Sequence, residues 1–299
     1  MKLVDSTRYA KLKESGQLPS PKGLALAIIS LLQRDDYKLD ELVRLIQADP
    51  VIAGEMLKYS NAAPYGQTSP IVSLAKAVTT LGTRQVGMII VAFSVMNNHR
   101  GGNCPQFDYE KFWSRSLATA ISAQSLASYA QINAEENFTA GLLCGLGELA
   151  LASVFPERYG EIISASEDRS NRRIEMERES FSTDHRELNA TLMLEWGLPL
   201  KLVTAIYHCE NPEAADFRDG SRTNGLTLSL NVALALGDIC VADDDARNAM
   251  LPDMYDKAAR LGINTEEMNS MAGNIIASWK AWCEQLKIQT GEISSLDQI

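Results

Sequence analysis

The sequence predicts an all-α protein, and two observations carry that expectation. Apolar residues recur at helical spacing along most of the chain. Leu39, Leu42, Val43 and Ile46, at i, i+3, i+4 and i+7, fall on one face of a helix. Strand signals are weak by contrast. Few stretches alternate apolar and polar residues, and no Asn-Gly or Asp-Gly turn joins two such runs. About a dozen helices with short connections follow from this pattern.

The punctuation between helices can be read in order. Asp49-Pro50 ends the helix that carries Leu39 to Ile46. Proline disfavours helix at the residue before it and suits the first turn of the next helix, with Asp49 as its N-cap. Thr83 caps an apolar helix ending near Met96. Asn97 to Asp108, with Gly101-Gly102-Asn103-Cys104-Pro105, reads as a loop joining two helical lobes. Asp184 and Glu187 form a capping-box-like pair ahead of Leu188, Leu192 and Leu194. Gly197 can end that helix in the left-handed conformation, and Pro199 can begin the next. Asn211 to Asn224 is a polar loop. Leu226 to Val241 is a strongly apolar helix, expected to be buried in the second lobe or against a partner. Asn264 and Glu267 cap a last helix bearing Trp279 and Trp282, and the tail from Thr290 to Ile299 is expected to fray.

The expected organisation has four parts. A smaller N-terminal helical lobe spans 1–100, its bundle running roughly from 17 to 97. A second helical lobe spans 107–212. C-terminal helices over 225–289 pack on the same unit, and 290–299 form the tail.

Composition narrows the function classes. A chain of 299 residues with 45% hydrophobic and 22% charged residues can bury a large core. Its net charge of −10 argues against nucleic acid, because phosphate contact needs a concentrated basic surface. The strongest basic cluster, Arg169-Ser170-Asn171-Arg172-Arg173, is followed at once by Glu175, Glu177 and Glu179, the pattern of a solvated helix start. No apolar run is expected to span a bilayer, and Met1 to Ser6 lacks the apolar core of a signal peptide, so a cytoplasmic location and no membrane partner are expected. Cys104, Cys144, Cys209, Cys240 and Cys283 are scattered without a C-x-x-C pair, as expected of reduced, mostly buried thiols. Asp243-Asp244-Asp245 lacks the spacing of an EF-hand loop and reads as a solvated acidic turn, and His99 as a loop residue.

An ordered set of short motifs resembles a known family. Leu18-Pro19-Ser20-Pro21 opens it, followed by Asp49-Pro50-Val51-Ile52-Ala53 and by the run from Leu57 to Gly66, L-K-Y-S-N-A-A-P-Y-G. Ile71 to Val78, Leu81-Gly82, Trp113-Ser114-Arg115-Ser116, Gly141-Leu142-Leu143-Cys144-Gly145-Leu146-Gly147, Trp196-Gly197-Leu198-Pro199 and Ala205-Ile206-Tyr207-His208 complete it. Together these resemble the HDOD family, the HD-related output domain of bacterial signalling proteins, over roughly residues 17 to 212. The resemblance implies an all-α, multi-helix HD-like domain related to HD and HD-GYP metal-dependent phosphohydrolases, and a regulatory rather than catalytic role.

Within that resemblance, the metal ligands of an HD enzyme are an early histidine, a later His-Asp pair and a closing aspartate. Arg115 stands at the early histidine, and Cys144 and Gly145 stand at the pair. Asp238 matches the closing aspartate poorly. A guanidinium stays charged and cannot coordinate a cation. Three readings of Arg115 stand open: a structural ion pair with Glu148, a simply exposed arginine, or the binding of a small anionic ligand through its planar fork. His185 and His208 match positions that lie near the metal-binding end of the resembling enzymes, with Cys209 where a second histidine often follows. Their chemistry suits zinc, but the sequence offers no metal-ligand spacing.

The pocket residues expected from the resemblance are therefore Arg115, Cys144, Glu148, His185 and His208, with no catalytic residue, no metal and no cofactor. The leading expectation is a non-catalytic signal-transduction module that binds a regulatory protein partner in trans or a small anion. The alternative is a divergent metal-dependent phosphohydrolase of phosphate esters or cyclic nucleotides with a rebuilt metal site. A homo-oligomer through Trp279 and Trp282 stays open, although tryptophan on an amphipathic helix is more often intramolecular core.

Overall fold

The structure, a computed structural model, describes residues 1–34, 36–61, 70–166, 170–293 and 296. Residues 62–66 of the Leu57–Gly66 motif, Arg169 of the basic cluster, and tail residues 294, 295 and 297–299 lie outside the described residues. Among the described residues there are sixteen α-helices, one 3₁₀ turn and no strand. The all-α expectation holds, with more helices than the dozen expected. Periodicity runs across breaks as short as Gly82 alone, or Cys144 and Gly145 together, so apolar spacing joins helices that the backbone separates.

The chain forms two compact units, Ser20–Asn98 and a larger one made of Met1–Pro19 with His99–Ile299. Helix α1 (Ser6–Glu14) belongs to the larger unit. The smaller unit holds α2 (Leu24–Leu32), α3 (Leu39–Gln47), α4 (Pro50–Asn61), α5 (Leu74–Leu81) and α6 (Thr83–Asn98). Its core is Ile28, Leu42, Ile46, Met56, Ile89 and Ile90, all fully buried. Asp49 caps α4 as expected, accepting from Val51 N at 3.0 Å and Ile52 N at 3.2 Å.

The larger unit continues with α7 (Tyr109–Leu126), α8 (Ala134–Leu143), α9 (Leu146–Val154), α10 (Pro156–Ser166), α11 (Ser170–Phe181), α12 (His185–Glu195) and α13 (Leu200–His208). Helices α14 (Arg222–Val241), α15 (Asp244–Ala259) and α16 (Thr265–Leu286) complete it. Helix α7 is the axis of this unit and packs against α8, α14 and α16. It is rich in small residues, and twelve of its side chains from Phe112 to Leu126 are buried. Trp279 of α16 is fully buried and donates to the Ser114 carbonyl at 2.9 Å, so this tryptophan belongs to the intramolecular core.

Several local expectations hold. Asp184 caps α12 by accepting from Glu187 N at 2.9 Å. Gly197 is left-handed with φ +77°. Asn264 and Glu267 form a reciprocal capping box.

Others are corrected. Residues 1–19, expected in the first lobe, pack on the larger unit, because Val4 N donates to Thr191 Oγ1 at 3.0 Å and Arg8 Nη1 donates to the Phe181 carbonyl at 2.5 Å. The tail is not frayed where it is described: Ile293 and Leu296 are buried apolar side chains. Asp243, Asp244 and Asp245 are exposed as expected, but Asp243 is the N-cap of α15, and the buried Arg247 donates to the carbonyls of Ile239 and Ala242 at the end of α14. His99 lies in a loop as expected, and its carbonyl accepts from Trp113 Nε1 at 2.8 Å. Two segments, Ala134–Val154 and Arg222–Val241, are long and apolar enough to cross a membrane by length and composition, contrary to the sequence expectation. Within this fold 78% and 61% of their apolar windows are buried.

Candidate functional site

Close backbone approach brings the site together. A Cβ on Gly147 would overlap the His185 carbonyl oxygen, so glycine is what lets the first turn of α9 meet the first turn of α12. A Cβ on Gly237 would overlap the Thr119 hydroxyl and come within 3.2 Å of the Arg115 carbonyl, so α14 likewise presses onto α7. These contacts deliver Arg115 from α7, Glu148 from α9, His185 from α12 and Asp238 from α14 to one region.

The side chains there form a chain of alternating charge. Arg115 Nε donates to Asp238 Oδ1 at 2.5 Å, and its Nη1 donates to Glu148 Oε1 at 3.2 Å. Glu148 Oε2 accepts from Arg173 Nη1 of α11 at 3.4 Å. Arg173 Nε stands 4.0 Å from Glu177 Oε1, one turn along α11. Glu177 Oε2 accepts from both the backbone N–H and Nδ1 of His185, at 2.9 and 2.7 Å. His185 Nε2 stands 2.9 Å from Glu210 Oε1, just beyond α13.

Burial makes this pairing obligatory, because unpaired charge in a low-dielectric interior is costly. The Glu177 and His185 side chains are 0% and 2% exposed, and Glu148 is 9% exposed. Burial alone would lower the His185 pKa, but Glu210 and Glu177 outweigh it and hold the pKa well above its ordinary value. Burial opposes ionisation of Glu210 as well, yet His185, then Arg173 and Arg186, bring its carboxyl down to about 2. Against the same opposing burial, Arg173, Arg115 and His185 lower the pKa of Glu148. The fully buried Tyr159 is pushed well up by burial, and its hydroxyl feels Arg173 most strongly.

The structure thus joins Arg115, Glu148 and His185 of the sequence-expected residues through one ionic network. Cys144 caps the end of α8 and donates its thiol to the Ala140 carbonyl at 3.0 Å. His208 stands against the rings of Tyr207 and Phe217, with centroids 4.8 and 5.5 Å away, and burial, the N-terminal ammonium and Arg186 lower its pKa. The solvated-helix reading of the basic cluster is corrected at Arg173 and Glu177, which turn inward to Glu148 and His185. Sequence reasoning missed Arg173, Glu177, Glu210 and Tyr159. The i, i+4 spacing of Arg173 and Glu177 was the available signal.

The divalent metal of an HD phosphohydrolase does not fit these side chains. A guanidinium occupies the acceptors of Asp238 and Glu148, and both ring nitrogens of His185 are engaged by Glu177 and Glu210. Among the described residues no group of three or more His, Cys, Asp or Glu side chains is arranged to hold a metal ion.

Comparison with known proteins agrees with the motifs and the fold. The HDOD domain model matches residues 18–212. An uncharacterized protein of Treponema pallidum (strain Nichols) is 25% identical over 209 residues, and the match covers 69% of this chain but 40% of that relative's length. The crystal structure of the MmoQ response regulator from Methylococcus capsulatus strain Bath is 32% identical, with 86% of this chain and 98% of that chain covered and a TM-score of 0.52. An HDOD domain protein with unknown function from Geobacter sulfurreducens shares the fold at 21% identity, covering 92% and 97% of the two chains, with a TM-score of 0.64. With its ordered motifs, its all-helical units and a family match over most of its length, this chain belongs to the HDOD domain family.

Proposed function

We propose that this chain is a regulatory module of signal transduction that works by binding and not by hydrolysis. The observation that carries this reading is the Arg115 guanidinium, which bridges Asp238 at 2.5 Å and Glu148 at 3.2 Å where an HD enzyme would gather metal ligands. Activating a water needs a Lewis acid with an open coordination position. Arg115 supplies charge without coordination, so the network keeps the helices together while the hydrolytic centre is degenerate. The likeness to a response regulator at 32% identity supports the signalling side of this reading.

A protein partner acting in trans is the favoured ligand class. The guanidiniums of Arg115 and Arg173 are already committed to carboxylates, so an incoming anion would have to displace Glu148. The net charge of −10 disfavours nucleic acid, and the two membrane-length segments have most of their apolar surface buried, as suits a cytoplasmic protein. The test is turnover of phosphomonoesters, phosphodiesters and cyclic nucleotides with manganese, magnesium, iron or zinc. No metal-dependent turnover is expected. Turnover that a chelator abolishes and metal restores would overturn the reading.

A further inference from the structure

A cavity of about 780 Å³ opens in the larger unit, and no side chain of the ionic network lines it. Three stretches of backbone form it. They are the turn after α7 at Tyr129 to Gln131, the segment from the 3₁₀ turn Pro212–Ala214 to Ser221, and the first two turns of α14. Arg260, at the end of α15, adds to the wall. Small-molecule sites occupy roughly 300–1,000 Å³, and this volume falls among them.

The walls are fixed by backbone contact. A Cβ on Gly225 would stand 2.9 Å from the Ala130 carbonyl oxygen, so glycine lets α14 meet the turn that carries Tyr129. That turn is closed by Ile132 N, which donates to the Ala127 carbonyl at 2.9 Å, with Gln131 left-handed at φ +55°. Tyr129 is thereby held in the cavity wall with 39% of its surface exposed.

The lining offers three kinds of group. Tyr129 and Phe217 present aromatic rings, Arg222 and Arg260 present guanidiniums, and Glu213 and Asp219 present carboxylates. Each guanidinium rests on a carboxylate at the surface, Arg222 on Glu136 of α8 and Arg260 on Glu213 at 2.5 Å. The Arg222 side chain is 61% exposed and that of Arg260 38%. Solvated pairs of this kind are weak, and a phosphate that accepts two N–H bonds from one guanidinium can replace them. Arg115 and Arg173 differ, because the Glu148 they share is nearly buried.

We propose that this cavity binds a nucleoside monophosphate. The phosphate pairs with Arg222 and Arg260, the base stacks on Tyr129, and the sugar hydroxyls donate to Glu213 or Asp219. A flat ring, an anion and hydroxyl donors in one molecule use all three kinds of group. Phosphate alone leaves the rings and carboxylates unused, and a nucleoside leaves the guanidiniums unused. Glu210 lies two residues before Pro212, and Phe217 packs on His208 with centroids 5.5 Å apart. A ligand seated on this segment therefore acts on the stretch of chain that aims Glu210 at His185. Binding here is independent of the regulatory reading, since it uses none of the network's side chains.

The test is isothermal titration of the full chain with AMP, GMP, CMP and UMP, and with inorganic phosphate and the matching nucleosides as probes of each half. At least one monophosphate should bind one-to-one, about tenfold or more tighter than phosphate or its own nucleoside. Tyr129→Ala and Arg222→Ala, both at exposed positions, should each weaken that binding about tenfold. Arg158→Ala should leave it unchanged, because Arg158 pairs with Glu161 and does not line the cavity. No saturable binding of any monophosphate would overturn the proposal. So would phosphate or a nucleoside binding as tightly as the monophosphate, or full affinity in the Tyr129→Ala and Arg222→Ala double variant.

Discussion

Arg115 and Asp238 lie on different helices, α7 and α14, and their side chains meet at 2.5 Å. The same guanidinium reaches Glu148 on a third helix, so one arginine clamps three elements of the larger unit. Removing it strands a nearly buried carboxylate. Arg115 keeps 23% of its side chain exposed and Asp238 keeps 40%, so solvent screens part of the loss. We expect Arg115→Ala to destabilise the fold by about 2–3 kcal/mol, below the value for a fully buried pair. Urea denaturation followed by circular dichroism measures it. A loss under about 0.5 kcal/mol would mean that the clamp is incidental.

His185 and His208 should behave differently although both are helix-end histidines. His185→Gln leaves Glu177 and Glu210 facing a neutral group, and we expect a cost of about 3 kcal/mol. His208→Gln loses ring contacts with Tyr207 and Phe217 and should cost about 1 kcal/mol or less. A double-mutant cycle between His185→Gln and Glu177→Gln should give a coupling of about 1–3 kcal/mol. A coupling near zero would contradict the 2.7 Å contact.

Stability should depend on pH in two windows. Glu210 falls from an ordinary value of 4.5 to about 2 on folding. A depressed carboxylate adds stability above its unfolded pKa, and that stability is lost as pH drops from about 4.5 toward 2. Glu148, also depressed, acts in the same direction. His185 is raised on folding, so its contribution is fully present below its unfolded value of 6.5 and declines as pH rises through the elevated folded value. Urea midpoints from pH 2 to 10 should show both limbs. Glu210→Gln should reduce the acid limb, and an unchanged limb would place the acid sensitivity elsewhere.

Gly147 should not tolerate a side chain. A methyl group there meets the His185 carbonyl oxygen, which is backbone and cannot rotate away. Gly147→Ala is expected to cost about 3 kcal/mol or more by separating α9 from α12. Thermal unfolding reads this directly, and a wild-type midpoint would show that the two helices are not so close.

Much of the fold was legible because local chemistry and tertiary structure agree. Asp49, Asp184, Gly197 and the Asn264–Glu267 box each act as their residue types dictate. The site was legible only where a motif marked it, at Arg115, Glu148 and His185. Arg173 and Glu177 were hidden because a charged helix reads as solvated until its buried face is known. Glu210 sits in a loop where no periodicity operates. The apolar helix over 226–241 was foreseen as buried, but pattern alone could not show that it is long enough to span a bilayer and still belongs mostly inside the fold.

The central claim is that an arginine-bridged ionic network replaces a metal centre. Metal content by elemental mass spectrometry, on untagged protein never exposed to an affinity metal, tests it most directly. The account predicts less than about a tenth of an equivalent of any transition metal. A stoichiometric metal that is lost when His185 and Glu210 are both replaced would contradict it.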